Sequence, residues 1–321
     1  MVNREPKPTT GLALALLVLL ALPAHAGGYR APRTPWGAPN LQGEWTNLSL
    51  THLERPPGVP AVVGKGDDLK AIEKTVYDTI LVADPLDSRA SEWWSTGGLA
   101  VVDGKMRTGW ITSTPDGRVP YRPQALAQMA AIRAAAFTDY DGPESRNGGE
   151  RCLITSFSAN MPPMQNAPYS ANYRIVQTRQ AVVIFSEIDG IVRIVRLGGV
   201  HDRGLGKSWD GDPVGHWEGE TLVVESAGFR DIGNYRAPVY YIGPDAKVTE
   251  RFTRVSAGEI RYAFTVEDPA TYTAPWSGEM PFRATAVPIY EYACHEGNLS
   301  LAGMLSGQRY IEAHPAATAS R

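Results

Sequence analysis

Two short stretches of this chain hold the side chains best suited to chemistry. The first is Tyr290-Glu291-Tyr292-Ala293-Cys294-His295-Glu296. Read as a strand, it alternates faces, so Tyr290, Tyr292, Cys294 and Glu296 point one way and Glu291, Ala293 and His295 the other. Glu291 and His295 would then stand about 7 Å apart along the strand. A carboxylate beside an imidazole raises its basicity and fixes its orientation, which suits general acid/base work. The same pair could instead be a structural contact at a strand end. The second stretch is Val200 to His216, which gathers His201, Asp202, Arg203, Lys207, Trp209, Asp210, Asp212 and His216. Polar groups around an indole are what a barrel mouth recognising a polar or aromatic ligand would present. A solvated loop whose Asp and Gly residues only make turns is the competing interpretation.

These residues define the expected site. His295 is the candidate acid/base and Glu291 its orienting partner, with His201 or His216 as a second proton-transfer group. Asp202, Arg203, Trp209 and Trp217 are candidate substrate contacts. His216 and Glu218 share one strand face, with Trp217 opposite, so His216 is placed toward the interior. Three histidines could in principle hold zinc, but no His-x-His or His-Glu-x-x-His spacing supports it, and no metal or cofactor is expected. His201-x-x-x-x-Gly206-Lys207-Ser208 lacks the first glycine of a phosphate-binding loop and precedes Trp-Asp-Gly-Asp-Pro rather than a helix. No Gly-x-Ser-x-Gly elbow occurs. Trp93, Trp94, Trp110 and Trp276 could line a pocket, although aromatics in β proteins are more often core.

The elements that must position these groups are mostly strands. Gly43 to Leu48 reads as a first strand. Tyr173 to Glu187 is strand-like, and Asp189-Gly190 signals a tight turn before Ile191 to Leu197. Glu218-Gly219-Glu220 turns into Thr221 to Glu225, and Glu250 to Val255 pairs with Ile260 to Val266 across Ala257-Gly258. Pro281 to Thr285 and Ile289 to Glu296 add two more. Helical spacing predicts helices over 68–83, 123–140 and 298–313, with Leu69, Ile72, Val76 and Ile80 along one stripe and Pro123 opening the second. Successive hairpins without βαβ spacing predict a mainly β fold, an antiparallel meander whose edges are best hidden by closing into a barrel with peripheral helices.

The compartment follows from the beginning of the chain. Arg4 and Lys7 precede the apolar run Leu12 to Leu22, and Ala24-His25-Ala26 offers a small-x-small cleavage signal. The expectation is a signal peptide over 1–26, a single domain over 27–321, and a periplasmic or secreted protein without a lasting membrane anchor. In an oxidising compartment the two cysteines, Cys152 and Cys294, most simply form one disulfide; a nucleophilic or metal-bound thiolate is the alternative. Lys and Arg total 31 against 34 Asp and Glu, for a net charge of −3 without a basic tract, so nucleic acid is not an expected partner.

Five segments, PRTPWGAPNLQGEWTN, THLERP, GHWEGETLVVES, ERFTRVSAGEIRYAFTVEDP and PIYEYACHEGN, stand in that order. Together they resemble a large group of exported bacterial proteins, which implies a shared fold and compartment and no particular reaction. Gly43-x-Trp45 is also similar to the Gly-x-Trp start of lipocalin-like (calycin) barrels. The functional expectation is a cofactor-independent acid/base enzyme (lyase, hydratase, isomerase or hydrolase) acting on a small organic molecule in the barrel mouth. The alternative is a non-catalytic carrier or sensor of a hydrophobic or aromatic small molecule.

Overall fold

The computed structural model describes residues 29–83, 97–153, 161–167, 169–202, 204, 206–231 and 240–315. The segment expected to be a signal peptide, Trp93, Trp94 and Arg203 lie outside these residues. Nine strands close into a barrel: β1 (Gly43–Thr46), β4 (Asn172–Gln177), β5 (Ala181–Ser186), β6 (Val192–Leu197), β7 (Asp212–Glu218), β8 (Thr221–Ala227), β9 (Lys247–Ser256), β10 (Glu259–Glu267) and β11 (Trp276–Ala284). A small ribbon of β2 (Val101–Val102) and β3 (Lys105–Met106) lies apart. The helices are α1 (Leu69–Ala83), α2 (Pro123–Thr138) and α3 (Leu299–Ala313), within two residues of their expected bounds.

Closure rests on β1, whose four residues pair with β4 on one side and of which Trp45 and Thr46 pair with β11 on the other. Eight of the nine seams are antiparallel and one, β6 with β7, is parallel. An odd number of strands cannot alternate direction all the way round a ring, so at least one parallel seam is unavoidable. A parallel seam needs a crossover of about a dozen residues rather than a hairpin, and the chain between Leu197 and Asp212 supplies it. The meander is therefore interrupted at the loop where the sequence concentrates its polar groups.

Several strand boundaries differ from expectation. The run 173–187 is two strands, because the Thr178 hydroxyl accepts hydrogen bonds from the N–H groups of Gln180 (3.2 Å) and Ala181 (2.9 Å) and so makes a side-chain turn. The last strand starts at Trp276, five residues early. The segment 289–296 is not a strand at all. Once β1 has paired with both neighbours, no sheet edge is left for it, and the chain leaves the barrel after Thr285 N–H donates to the Glu44 carbonyl (3.1 Å).

Inward-facing side chains fill the interior. Trp45, Tyr173, Phe252, Tyr262, Phe264, Trp276 and Phe282 are all buried and pack edge-on or tilted, with Tyr262 and Phe282 centroids 5.6 Å apart and Phe264 and Trp276 also 5.6 Å. Residues 161–167 cork one end. Met164 N–H donates to the Tyr262 hydroxyl (2.7 Å), the Pro163 carbonyl accepts from Tyr240 (2.7 Å), and the Asn166 side-chain amide donates to the carbonyls of Ser49 and Thr51 (both 2.9 Å).

Among these rings lies a fully buried ion pair, Arg193 of β6 with Glu250 of β9. Arg193 Nη1 donates to Glu250 Oε1 (3.0 Å), Nη2 donates to Oε2 and to Ser226 Oγ (3.2 Å), and the Tyr262 hydroxyl donates to Oε1 (2.7 Å). Burial opposes the charge on Arg193, and the Glu250 carboxylate outweighs it, leaving the guanidinium pKa raised. Removing one partner strands the other charge in a dry core, a loss of about 3–5 kcal/mol, whereas apolar replacement of both is often neutral. Glu250→Gln is expected to lose about 3 kcal/mol of unfolding free energy in urea titrations, and Arg193→Met with Glu250→Leu to lose less than the two single changes combined. Additive losses would mean the pair is not coupled.

Burial also holds the imidazole of His52 down at about 4, against its ordinary 6.5. The unfolded chain then binds that proton more tightly, so His52 leaves stability unaffected above pH 6.5 and subtracts from it as pH falls toward 4, by about 3 kcal/mol in full. Unfolding free energies measured across that window should fall less steeply in His52→Gln than in the parent; parallel slopes would refute the assignment.

Candidate functional site

The expected catalytic set does not converge on the barrel interior. His295 is exposed in a single 3-10 turn (Cys294–Gly297), and Glu291 is exposed on irregular chain before it. The inward-facing residue of that segment is Tyr292, which packs against Ala167, Ala171 and Ile188. Desolvation raises its pKa, as does the Tyr169 phenol bonded to it. His216 faces outward, not inward: its Nε2 lies 3.1 Å from Glu218 Oε1 on the outer face of β7. Arg251, first, and His216 hold that carboxyl below its usual range. Trp217, on the opposite face, packs against the main core. His201 sits on the crossover with Nδ1 3.4 Å from Asp212.

Several acids of the crossover organise backbone. Asp212 Oδ2 accepts from Arg196 Nη2 and from the Asp202 N–H (both 2.9 Å), and Asp202 Oδ1 accepts from the Gly204 N–H (2.8 Å). The chain re-enters the barrel through Gly211 at φ +71°. A Cβ there would come within 2.8 Å of the Ala227 carbonyl and 2.9 Å of the Phe229 ring, so only glycine fits.

The second half of the crossover does form a concavity. Strands β6 and β7 begin, and β8 ends, at the corked end of the barrel. There Leu153, Met161, Ile191, Lys207, Ser208, Trp209, Asp210 and Arg230 line a pocket of about 260 Å³. Trp209 packs with Met161 and Ile191 in an apolar cluster that also includes Met129 and Tyr241. The Arg230 guanidinium carbon stands 5.3 Å from the centroid of the Trp209 ring. Ser208 Oγ lies 2.7 Å from both Asp210 Oδ1 and the Gly211 carbonyl, and the Arg230 N–H donates to the Ser208 carbonyl (2.7 Å). Neither Lys207 nor Arg230 has an ion-pair partner among the described residues. The pocket is thus an indole and an apolar wall beside two unneutralised cations. Arg193, behind it in the core, still feels the charge of Asp210.

Of the expected substrate contacts Trp209 lines this pocket, joined by Lys207 and Asp210 of the same polar stretch. His295, Glu291, His201, His216, Asp202 and Trp217 do not. Arg230 and Met161 escaped notice because they lie far from the crossover in sequence. The signal for Arg230 was the buried Phe229 before it, which anchors the end of β8 beside Ser208. Among the described residues no His, Cys, Asp or Glu group of three or more could hold a metal ion.

The pocket wall is tied to the C-terminal segment. Cys152, next to Leu153, forms a disulfide with Cys294 across 142 positions. Asn298 Nδ2 donates to the Glu150 carbonyl (2.8 Å), and Arg309 Nη2 to the carbonyls of Tyr140 (2.6 Å) and Asp141 (2.8 Å). No helix among the described residues is long and apolar enough to cross a membrane. The chain matches no protein-family model, no curated protein and no solved structure.

Helix α3 buries no residue, so it depends on this tether rather than on packing. In Cys152→Ser/Cys294→Ser the amides of 299–313 should exchange with solvent at least ten-fold faster, while those of β8 to β10 keep their protection. Unchanged exchange in α3 would show that the polar contacts suffice alone.

Proposed function

We propose that this chain is an exported binding protein for a small organic molecule, a carrier or sensor whose ligand sits in the pocket at the crossover. The observation that carries the reading is the composition of that pocket: an indole, an apolar wall and two cations without an ion-pair partner among the described residues, on loops held by a filled barrel. Binding sites on loops over a rigid scaffold are the common arrangement, and a pocket with a few convergent polar groups is the default ligand site. The acid/base enzyme expected from the sequence is less well supported, because its three histidines lie on separate elements, outside the pocket, and catalytic groups must reach one substrate. The disulfide and the leader-like first 26 residues support a site of action outside the cytoplasm.

The test uses the tryptophans as reporters. Protein labelled with fluorotryptophan is titrated with a panel of small acids, alcohols and amines, and the Trp209 resonance is assigned from Trp209→Phe. At least one class should shift that resonance saturably and raise the melting temperature. If no compound moves it, the pocket is not a ligand site and the binding proposal fails.

A further inference from the structure

We infer that the pocket selects an aromatic monocarboxylate, a single ring bearing a short acidic arm; this rests on the binding role proposed above and adds the chemical class. Size sets the first limit. A cavity of about 260 Å³ falls below the roughly 300–1,000 Å³ of sites for drug-sized ligands, so one ring with a small substituent is the natural occupant.

Charge sets the second. Lys207 and Arg230 are two cations on the lining, and Asp210 is its single carboxylate. Asp210 already has Ser208 Oγ against it. The uncompensated charge is therefore positive by one, the complement of a monoanion. Neither cation is neutralised by protein among the described residues, so an anionic ligand gains a pairing that solvent otherwise supplies. Asp210 disfavours a multiply charged anion such as phosphate. An ammonium ligand would meet two like charges, a repulsive arrangement that excludes it.

Shape and preorganisation set the third. Arg230 presents a planar fork suited to bidentate contact with a carboxylate. Its position over Trp209 holds the guanidinium near the indole, so less side-chain freedom is lost on binding. Met161 and Ile191 pack beside Trp209 as an apolar wall of the pocket, and a thioether or an indole favours contact with an aromatic ring. The acid would lie toward Arg230 and Lys207, and the ring against the wall that Trp209, Met161 and Ile191 form.

Benzoate, benzyl alcohol, benzylamine and inorganic phosphate are the probes, titrated calorimetrically into the full-length protein, with the Trp209 resonance read in parallel. Benzoate should bind at least about ten-fold more tightly than benzyl alcohol, the share of affinity a charge-assisted pair supplies. Benzylamine should not bind, and phosphate should not displace benzoate at equal concentration. Arg230→Gln should cost benzoate about ten-fold and leave benzyl alcohol unchanged, with Arg230→Lys between them. Equal affinity for benzoate and benzyl alcohol would overturn the charge selection while leaving a ligand pocket. Displacement by phosphate would reduce the site to a plain anion site and overturn the aromatic half. If none of the four probes moves Trp209 while another class does, the monocarboxylate class is wrong and the binding role survives. Silence from every compound tried defeats both.

Discussion

The rest of the molecule depends on β1 being shared. All four residues of β1 pair with β4, and Trp45 and Thr46 pair with β11 as well, which removes the two edges that the other eight strands would otherwise expose. Closing the ring with an odd strand count obliges one seam to run parallel. The chain pays that constraint at β6 and β7, with a crossover that no two-residue turn could replace. The crossover, the ends of β6 to β8 and the cork then meet at one rim, which is where the pocket lies. Closure has a second consequence: nothing past Ala284 can join the sheet. The C-terminal segment is held instead by a disulfide, by Tyr292 and by carbonyl-directed bonds from Asn298 and Arg309.

A closed ring of this kind leaves open whether its interior holds a ligand or its own side chains. Here three tryptophans, two of them on the barrel strands, and a set of tyrosines and phenylalanines occupy the centre, together with the Arg193–Glu250 pair. That pair has little to recommend it as a source of stability, since desolvation offsets most of the attraction. Its value is geometric. Arg193, Ser226, Glu250 and Tyr262 come from four strands, and the Tyr262 hydroxyl accepts from the backbone of the cork at Met164. The network therefore indexes the cork to the barrel and, through Met161, fixes the inner wall of the pocket.

What the sequence made legible follows from the range of the interactions involved. Alternation in β10, the turn at Asp189-Gly190, Pro123 opening α2 and the cysteine pair are local or covalent signals, and each reads correctly. The turn after β4 was hidden because Thr178 makes it with a hydroxyl instead of with Gly, Pro, Asn or Asp. The segment 289–296 alternates as well as any strand here, yet pairing is a property of an available edge, and the edge was spent on β1. The inward expectation for His216 fails because the face of β7 that turns inward is decided by Gly215, whose missing side chain lets β7 approach Val195 of β6; a Cβ there would stand 2.6 Å from a Val195 methyl carbon. The pocket was half legible. Trp209 and Lys207 belong to a loop whose polarity announced it, whereas Met161 and Arg230 arrive from the cork and from the end of β8, contacts that only closure creates.

A filled barrel with its proposed site outside divides the labour between scaffold and loops. In a barrel that encloses its ligand, every change of specificity alters the core, and cavity or overpacking costs of one to several kcal/mol follow. Here the residues that would meet a ligand, Lys207, Trp209, Asp210 and Arg230, contribute little to the central core, and the network beneath them holds their frame without touching the pocket's contents. The glycine at 211 and the buried Phe229 are the points where the two systems join, since they set how the crossover returns to β7 and where β8 releases Arg230. The selectivity of this molecule should accordingly be carried by the few side chains between those two anchors, and the barrel should tolerate their exchange so long as Gly211 keeps its left-handed backbone and Phe229 stays buried against it.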